Sequence, residues 1–91
     1  MYTTQKYEML YEKDEGYLFS LTREEDGENT PMYTIETRMH VSDEPDSISL
    51  FPREMMALLK IIDKNDLDPI IEKDFEIHDL PYHRDLFGED L

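Results

Sequence analysis

The hydrophobic period of this chain changes once, at Pro52, and that change sets its fold class. Before Pro52, apolar residues fall on every second position, the spacing of a half-buried strand. After it they recur at i, i+3, i+4 and i+7, the spacing of a helix with one apolar stripe. Residues 7–13 place Tyr7, Met9 and Tyr11 on one side and Glu8, Leu10 and Glu12 on the other. Asp14–Gly16 reads as a tight turn, with Gly16 free to take a positive φ. Residues 17–23 form a second strand, with Tyr17, Phe19 and Leu21 on one face and Leu18, Ser20 and Thr22 on the other. After the polar loop Glu24–Pro31, residues 32–41 form the longest strand, with Tyr33, Ile35, Met39 and Val41 on its apolar face. Ser42–Asp46 breaks the pattern, and Ile48 and Leu50 mark a short fourth strand over 47–50.

Pro52 suits the first position of a helix, where its missing N–H costs nothing. The spacing predicts a helix over 52–65 with Met55, Leu58, Leu59 and Ile62 as its core stripe. Arg53, Lys60 and Lys64 fall together on the opposite side and read as the solvated back of that helix. The expected class is therefore α+β: an antiparallel four-stranded β-meander covered by one amphipathic α-helix, with a short C-terminal helix or tail. Residues 1–65 make the α+β domain and residues 66–91 an acidic C-terminal segment. In that segment Asp68 and Pro69 suit the start of a short helix, with Ile71 and Phe75 at i, i+4. Phe75–Ile77 also fits an edge strand, and the short helix is the preferred reading.

Charge narrows the partners. Acidic residues number 23 against 9 basic ones, a formal net charge of −14. The excess is divided between the expected domain and the segment that follows it. Such a field repels nucleic acid and anionic membrane and attracts basic protein surfaces. The opening "MYTTQKYEML" lacks the apolar core of a signal peptide, and no apolar run approaches the roughly 20 residues of a membrane helix. A cytoplasmic protein is expected. With no cysteine, neither disulfides nor thiolate metal sites supplement the core.

Motifs for chemistry are missing. His78 and His83 stand five apart with Pro81 between them, which is not the i, i+4 spacing of a helical metal pair. His40 alternates onto the wet face of its strand. None of Ser20, Ser42, Ser47 and Ser49 sits in a glycine-flanked nucleophile elbow. Three glycines, Gly16, Gly27 and Gly88, cannot build a phosphate-cradling loop. The chain is read as a non-enzyme with no cofactor and no metal.

Ser47–Asp63, "SISLFPREMMALLKIID", resembles the strand-to-helix junction of the PC4-like transcriptional coactivators, which are single-stranded DNA-binding proteins. A single-strand binding surface needs stacking rings and a positive groove, for which the strands offer Tyr7, Tyr11, Tyr17, Phe19 and Tyr33 with Lys6, Lys13, Arg23 and Arg38. The family's basic, glycine-containing lead into the last strand is replaced by "SDEPD". Strand binding depends on neutralising phosphates. The cations here are interleaved with acids: Lys13 precedes Asp14, Arg23 precedes Glu24, and Arg53 precedes Glu54.

The preferred reading is a small non-catalytic protein that binds a basic surface of a nucleic-acid-handling protein. In size and charge it is similar to phage-type acidic inhibitors, including DNA mimics and anti-CRISPR proteins. In a meander, Asp14 and Glu15 neighbour Asp43, Glu44 and Asp46, whereas Glu24, Glu25, Asp26 and Glu28 crowd the opposite end. The tail would add Asp85 and the apolar anchors Tyr82, Leu86 and Phe87, the kind of residue on which interface energy concentrates. Direct nucleic-acid contact is disfavoured, and a homodimer is compatible with the chain.

Overall fold

The computed structural model describes residues 2–13 and 15–79. Strands β1 (Thr3–Glu12), β2 (Gly16–Glu25), β3 (Met32–Thr37) and β4 (Asp46–Leu50) form one sheet, followed by helices α1 (Pro52–Lys64) and α2 (Asp68–Asp74). A π-helical turn, Phe75–Asp79, extends α2. The sheet order is β1-β2-β3-β4 with every neighbour antiparallel. The class is α+β.

Pairing register decides which side chains share a face, because successive residues of a strand point to opposite sides. Tyr7, Leu21, Ile35 and Ile48 align as one apolar row across all strands. Met9, Phe19 and Thr37 form the row beside it, and Arg23, Tyr33 and Leu50 the row on its other side. The opposite face carries Glu8, Ser20, Glu36 and Ser47 in one row and Lys6, Thr22, Thr34 and Ser49 in the next. Thr34 Oγ1 and Ser49 Oγ share a hydrogen bond of 3.1 Å across the β3–β4 pair.

Burial does not follow the face that the alternation marks as apolar. Among the described residues, the buried ones are Leu18, 6% exposed, and Ser20, 0% exposed, both on the other side of β2. Interior position explains this. Ser20 is a short side chain flanked in register by the longer Glu8 and Glu36, on strands that cover β2 from both sides. Its Oγ finds no hydrogen-bond partner.

Several strand boundaries and one turn differ from the sequence expectation. β1 begins at Thr3 rather than Tyr7, because Thr3–Lys6 pairs with Thr22–Glu25 although it lacks apolar alternation. β3 ends at Thr37, so Met39 is 80% exposed instead of lying on an apolar strand face. Among the described residues of the β1–β2 turn, the positive φ falls at Lys13 (φ 39), not at Gly16. Gly16 serves closeness instead: a Cβ there would stand 3.3 Å from Val41 Cγ1. Leu10 is also left-handed, at φ 58, and falls between the paired residues Met9 and Tyr11.

Helix α1 begins with Pro52 behind Phe51, whose amide donates to Glu54 Oε1 at 2.9 Å, the side-chain half of a capping box. It ends in a Schellman motif: Leu67 N donates to Ile62 O at 2.9 Å and Asp66 N to Asp63 O at 3.2 Å. Asp66 takes the left-handed conformation this requires, at φ 53. The helix touches β3 and β4. Met55 and Ile62 are half-buried, whereas Leu58 and Leu59 of the expected core stripe are exposed. α2 takes the helical option over the strand at Asp68–Asp74, with Leu67 rather than Asp68 at its cap.

The two buried residues should respond oppositely to truncation. We expect Leu18→Ala to lower unfolding free energy by about 2–4 kcal/mol through lost burial and a cavity. Ser20→Ala should be neutral or stabilising by up to about 1 kcal/mol, since it removes an unsatisfied buried hydroxyl. Urea unfolding of the two variants measures both.

Candidate interaction surfaces

The turn end of the sheet is held by one carboxylate. Glu12, at the end of β1, reaches the β3–β4 loop: Val41 N donates to its Oε2 at 2.9 Å, and His40 Nδ1 lies 3.1 Å from its Oε1. Arg38 completes the clamp. Its Nε donates to Tyr17 O at 2.9 Å, its Nη1 donates to Val41 O at 3.0 Å, and its guanidinium lies 4.8 Å from the Tyr17 ring centroid. Asp43 closes the loop from within by accepting the His40 amide on Oδ2 at 3.1 Å. Glu15, Asp43, Glu44 and Asp46 are all exposed. The contact between Glu12 and the β3–β4 loop brings the β1–β2 turn and that loop together.

The loop end is organised differently. Asp26 Oδ1 accepts the amides of Glu28 at 2.9 Å and Asn29 at 2.8 Å, while Oδ2 accepts Asn29 Nδ2 at 2.8 Å. The Asn29 amide, then the Asn29 side chain, then the Glu28 amide pull the Asp26 carboxyl down to about 2. Gly27 supplies the positive φ of this turn, at 85°. Glu24 accepts a hydrogen bond from Tyr2 OH, and Glu25 Oε2 pairs with Arg23 Nη1 at 2.8 Å. Of the acids the sequence assigns to a partner at this end, Glu28 is exposed while Glu24, Glu25 and Asp26 are half-buried with local partners. Asp14, Tyr82, Asp85, Leu86 and Phe87 lie outside the described residues.

Lys6, Arg23 and Arg38 are occupied within the chain, whereas Lys13 at the β1–β2 turn is exposed. Lys6 Nζ donates to Tyr17 OH at 2.7 Å and stands 4.3 Å from the ring centroid. Tyr17 is therefore contacted by both Lys6 and Arg38. Arg23 serves Glu25. On the helices, the Arg53 guanidinium lies 5.6 Å from the Phe51 ring, and Lys60, Lys64 and Lys73 are exposed. A strand-binding groove requires cations free to meet phosphates beside open rings. Tyr17, one of the rings named for that role, has its cations already in contact.

Sequence reasoning missed the structural duties of Glu12, Asp26, Arg38 and Asp43. A partial signal existed for Asp26, because Asp followed by Gly marks a turn whose carboxylate accepts the next amides. None existed for Glu12, whose partners lie 28 and 29 positions away. A recess of about 340 Å³ between Thr30 and Phe51–Arg53 brings no titratable pair together. Among the described residues, no group of three His, Asp or Glu side chains could hold a metal ion. No helix among them is long and apolar enough to cross a membrane. No protein-family model, curated protein or solved structure matches this chain.

The Glu12–His40 clamp is pH-dependent. The Val41 amide, then His40, hold the Glu12 carboxyl below its ordinary 4.5. The hydrogen bond to Glu12, then its charge, raise His40 above 6.5. The Glu12 contribution is present above pH 4.5 and lost as pH falls through its lowered value. The His40 contribution is full below pH 6.5 and lost as pH rises through its raised value. The clamp is therefore strongest between those limits. In an NMR titration we expect the His40 ring to titrate above 6.5, and Glu12→Gln to bring its midpoint back toward that value. A midpoint unmoved by the substitution would show that the contact is not formed in solution.

Proposed function

We propose that this chain is a small, acidic, non-catalytic protein that binds a basic surface of a nucleic-acid-handling protein and blocks or regulates it. The observation that carries this reading is the division of charge. The sheet's arginines and Lys6 are engaged with Tyr17, Glu25 and backbone carbonyls, while Glu15, Glu44 and Asp46 project from the turn end. A surface whose cations are satisfied internally presents mainly its carboxylates, and fields of that sign steer basic partners into contact. Carboxylates two residues apart on a strand lie about 7 Å from each other. Such a surface suits a groove shaped for phosphates. Phage-type inhibition, in the manner of DNA mimics and anti-CRISPR proteins, and a cytoplasmic setting belong to the same proposal.

A second reading has one observation in its favour. Register places Tyr7, Phe19 and Tyr33 on one face of the sheet, and rings on such a face can stack the bases of a single strand. Arg23 is the cation on that face, and Glu25 holds it.

Two measurements separate the readings. In gel shifts from about 50 to 200 mM salt, we expect no retardation of single-stranded DNA. Tight binding that falls steeply with salt would favour the second reading. In capture from the native host's lysate, we expect a basic protein that duplex DNA displaces. Glu15→Gln with Glu44→Gln and Asp46→Asn should weaken that capture about 10-fold or more, since these side chains add charge at the contact. Asp43 is left intact because it closes its own loop. Undiminished capture by this variant would contradict the proposal.

A further inference from the structure

Two apolar surfaces of this chain are uncovered. One is the sheet row Tyr7–Leu21–Ile35–Ile48 with Met9 and Phe19 beside it, ending in Tyr7 at 59% exposure and Ile48 at 56%. The other is the stripe of α1, where Leu58 is 41% exposed and Leu59 56%, flanked by the exposed Met56 and Ile61. A two-fold pair would bury both on each copy, and their summed exposure is comparable to the roughly 800 Å² that each partner contributes to a standard interface.

We propose that a second copy of this chain covers both surfaces, the α1 stripe of each copy lying across the apolar sheet row of the other. Two features single out this occupant. First, the surfaces are complementary within one sequence. A 13-residue helix is about 20 Å long, and the four-stranded row spans about 14 Å between its outer strands. Second, a two-fold arrangement applies the same contact twice, helix to sheet and sheet to helix, and closes without leaving either surface open.

This inference does not depend on the proposed binding of a basic partner. Glu15 and Glu44 lie outside both apolar surfaces, whereas Asp46 ends the sheet row of Met9, Phe19 and Thr37, so Glu15→Gln with Glu44→Gln alone tests partner binding without touching the dimer surface. Each idea can fail alone.

Light scattering of the full chain during size exclusion tests it first. The expected mass is twice the 10.9 kDa of one chain. Leu59→Glu and Ile48→Lys each change an exposed position, so circular dichroism should be retained while the dimer dissociation constant rises about 100-fold or more, as at an interface hot spot. Location is tested separately. The chain lacks cysteine, so Lys60→Cys gives one site for a spin label on the helix back without altering the stripe. Mixed with unlabelled, nitrogen-15-enriched chain, it should broaden the amides of Leu21, Ile35 and Ile48 in the other copy. A monomer at every concentration would overturn the proposal. So would a dimer that survives both charged substitutions, or broadening that spares the sheet.

Discussion

Strand register is the constraint on which the rest of this structure depends. Once Tyr7 is opposite Leu21, Leu21 opposite Ile35 and Ile35 opposite Ile48, one face of the sheet is committed to apolar side chains. A shift of one residue would turn every one of them to the other side. The opposite face is committed just as firmly to Glu8, Lys6, Glu36, Thr34 and two serines of β4. Yet within one chain it is Leu18 and Ser20 that are buried, on the polar side. A domain of about this length buries only about 60% of its unfolded surface even when its core is closed. Leaving the apolar row open makes the margin thinner, and burying each half-exposed Leu, Ile or Tyr further would contribute up to about 1–2 kcal/mol.

Loops at the turn end depend on the same register in a different way. Pairing of Glu12 with Gly16 carries the Glu12 carboxylate to the end of β1, within reach of His40 and Val41. Arg38 then ties Val41 O to Tyr17 O, and Gly16 leaves room for the Val41 side chain. Charge is drawn into these duties unequally. Cations on the sheet are tied to Tyr17, Glu25 and main-chain carbonyls, while Glu15, Glu44 and Asp46 are left at the surface. The negative field proposed to guide partner binding follows from that inequality together with the composition.

Much of the architecture was legible from period alone. Alternation located the strands, Pro52 located the start of α1, and Pro69 beside Asp68 pointed to α2. The failures have physical causes. Alternation continues from Met32 through Val41, but Arg38 turns back to Tyr17 and ends β3 at Thr37, and no periodicity records a long-range hydrogen bond. Thr3–Lys6 carries no apolar alternation, and its strand exists because Thr22–Glu25 offers it a ladder. The stripe Met55, Leu58, Leu59 and Ile62 was legible as a core face, yet Leu58 and Leu59 are exposed, because period marks an apolar face without recording what meets it. For the acidic residues, sequence marked the clusters but could not separate carboxylates that hold loops, Asp26 and Asp43, from those that only face outward.

The claim that one chain leaves its apolar surfaces open, and that a second copy closes them, bears most directly on the thermal unfolding midpoint as a function of protein concentration. If folding and pairing are coupled, mass action raises that midpoint by several degrees over about a hundredfold range of concentration. A midpoint that stays constant over the same range would contradict it.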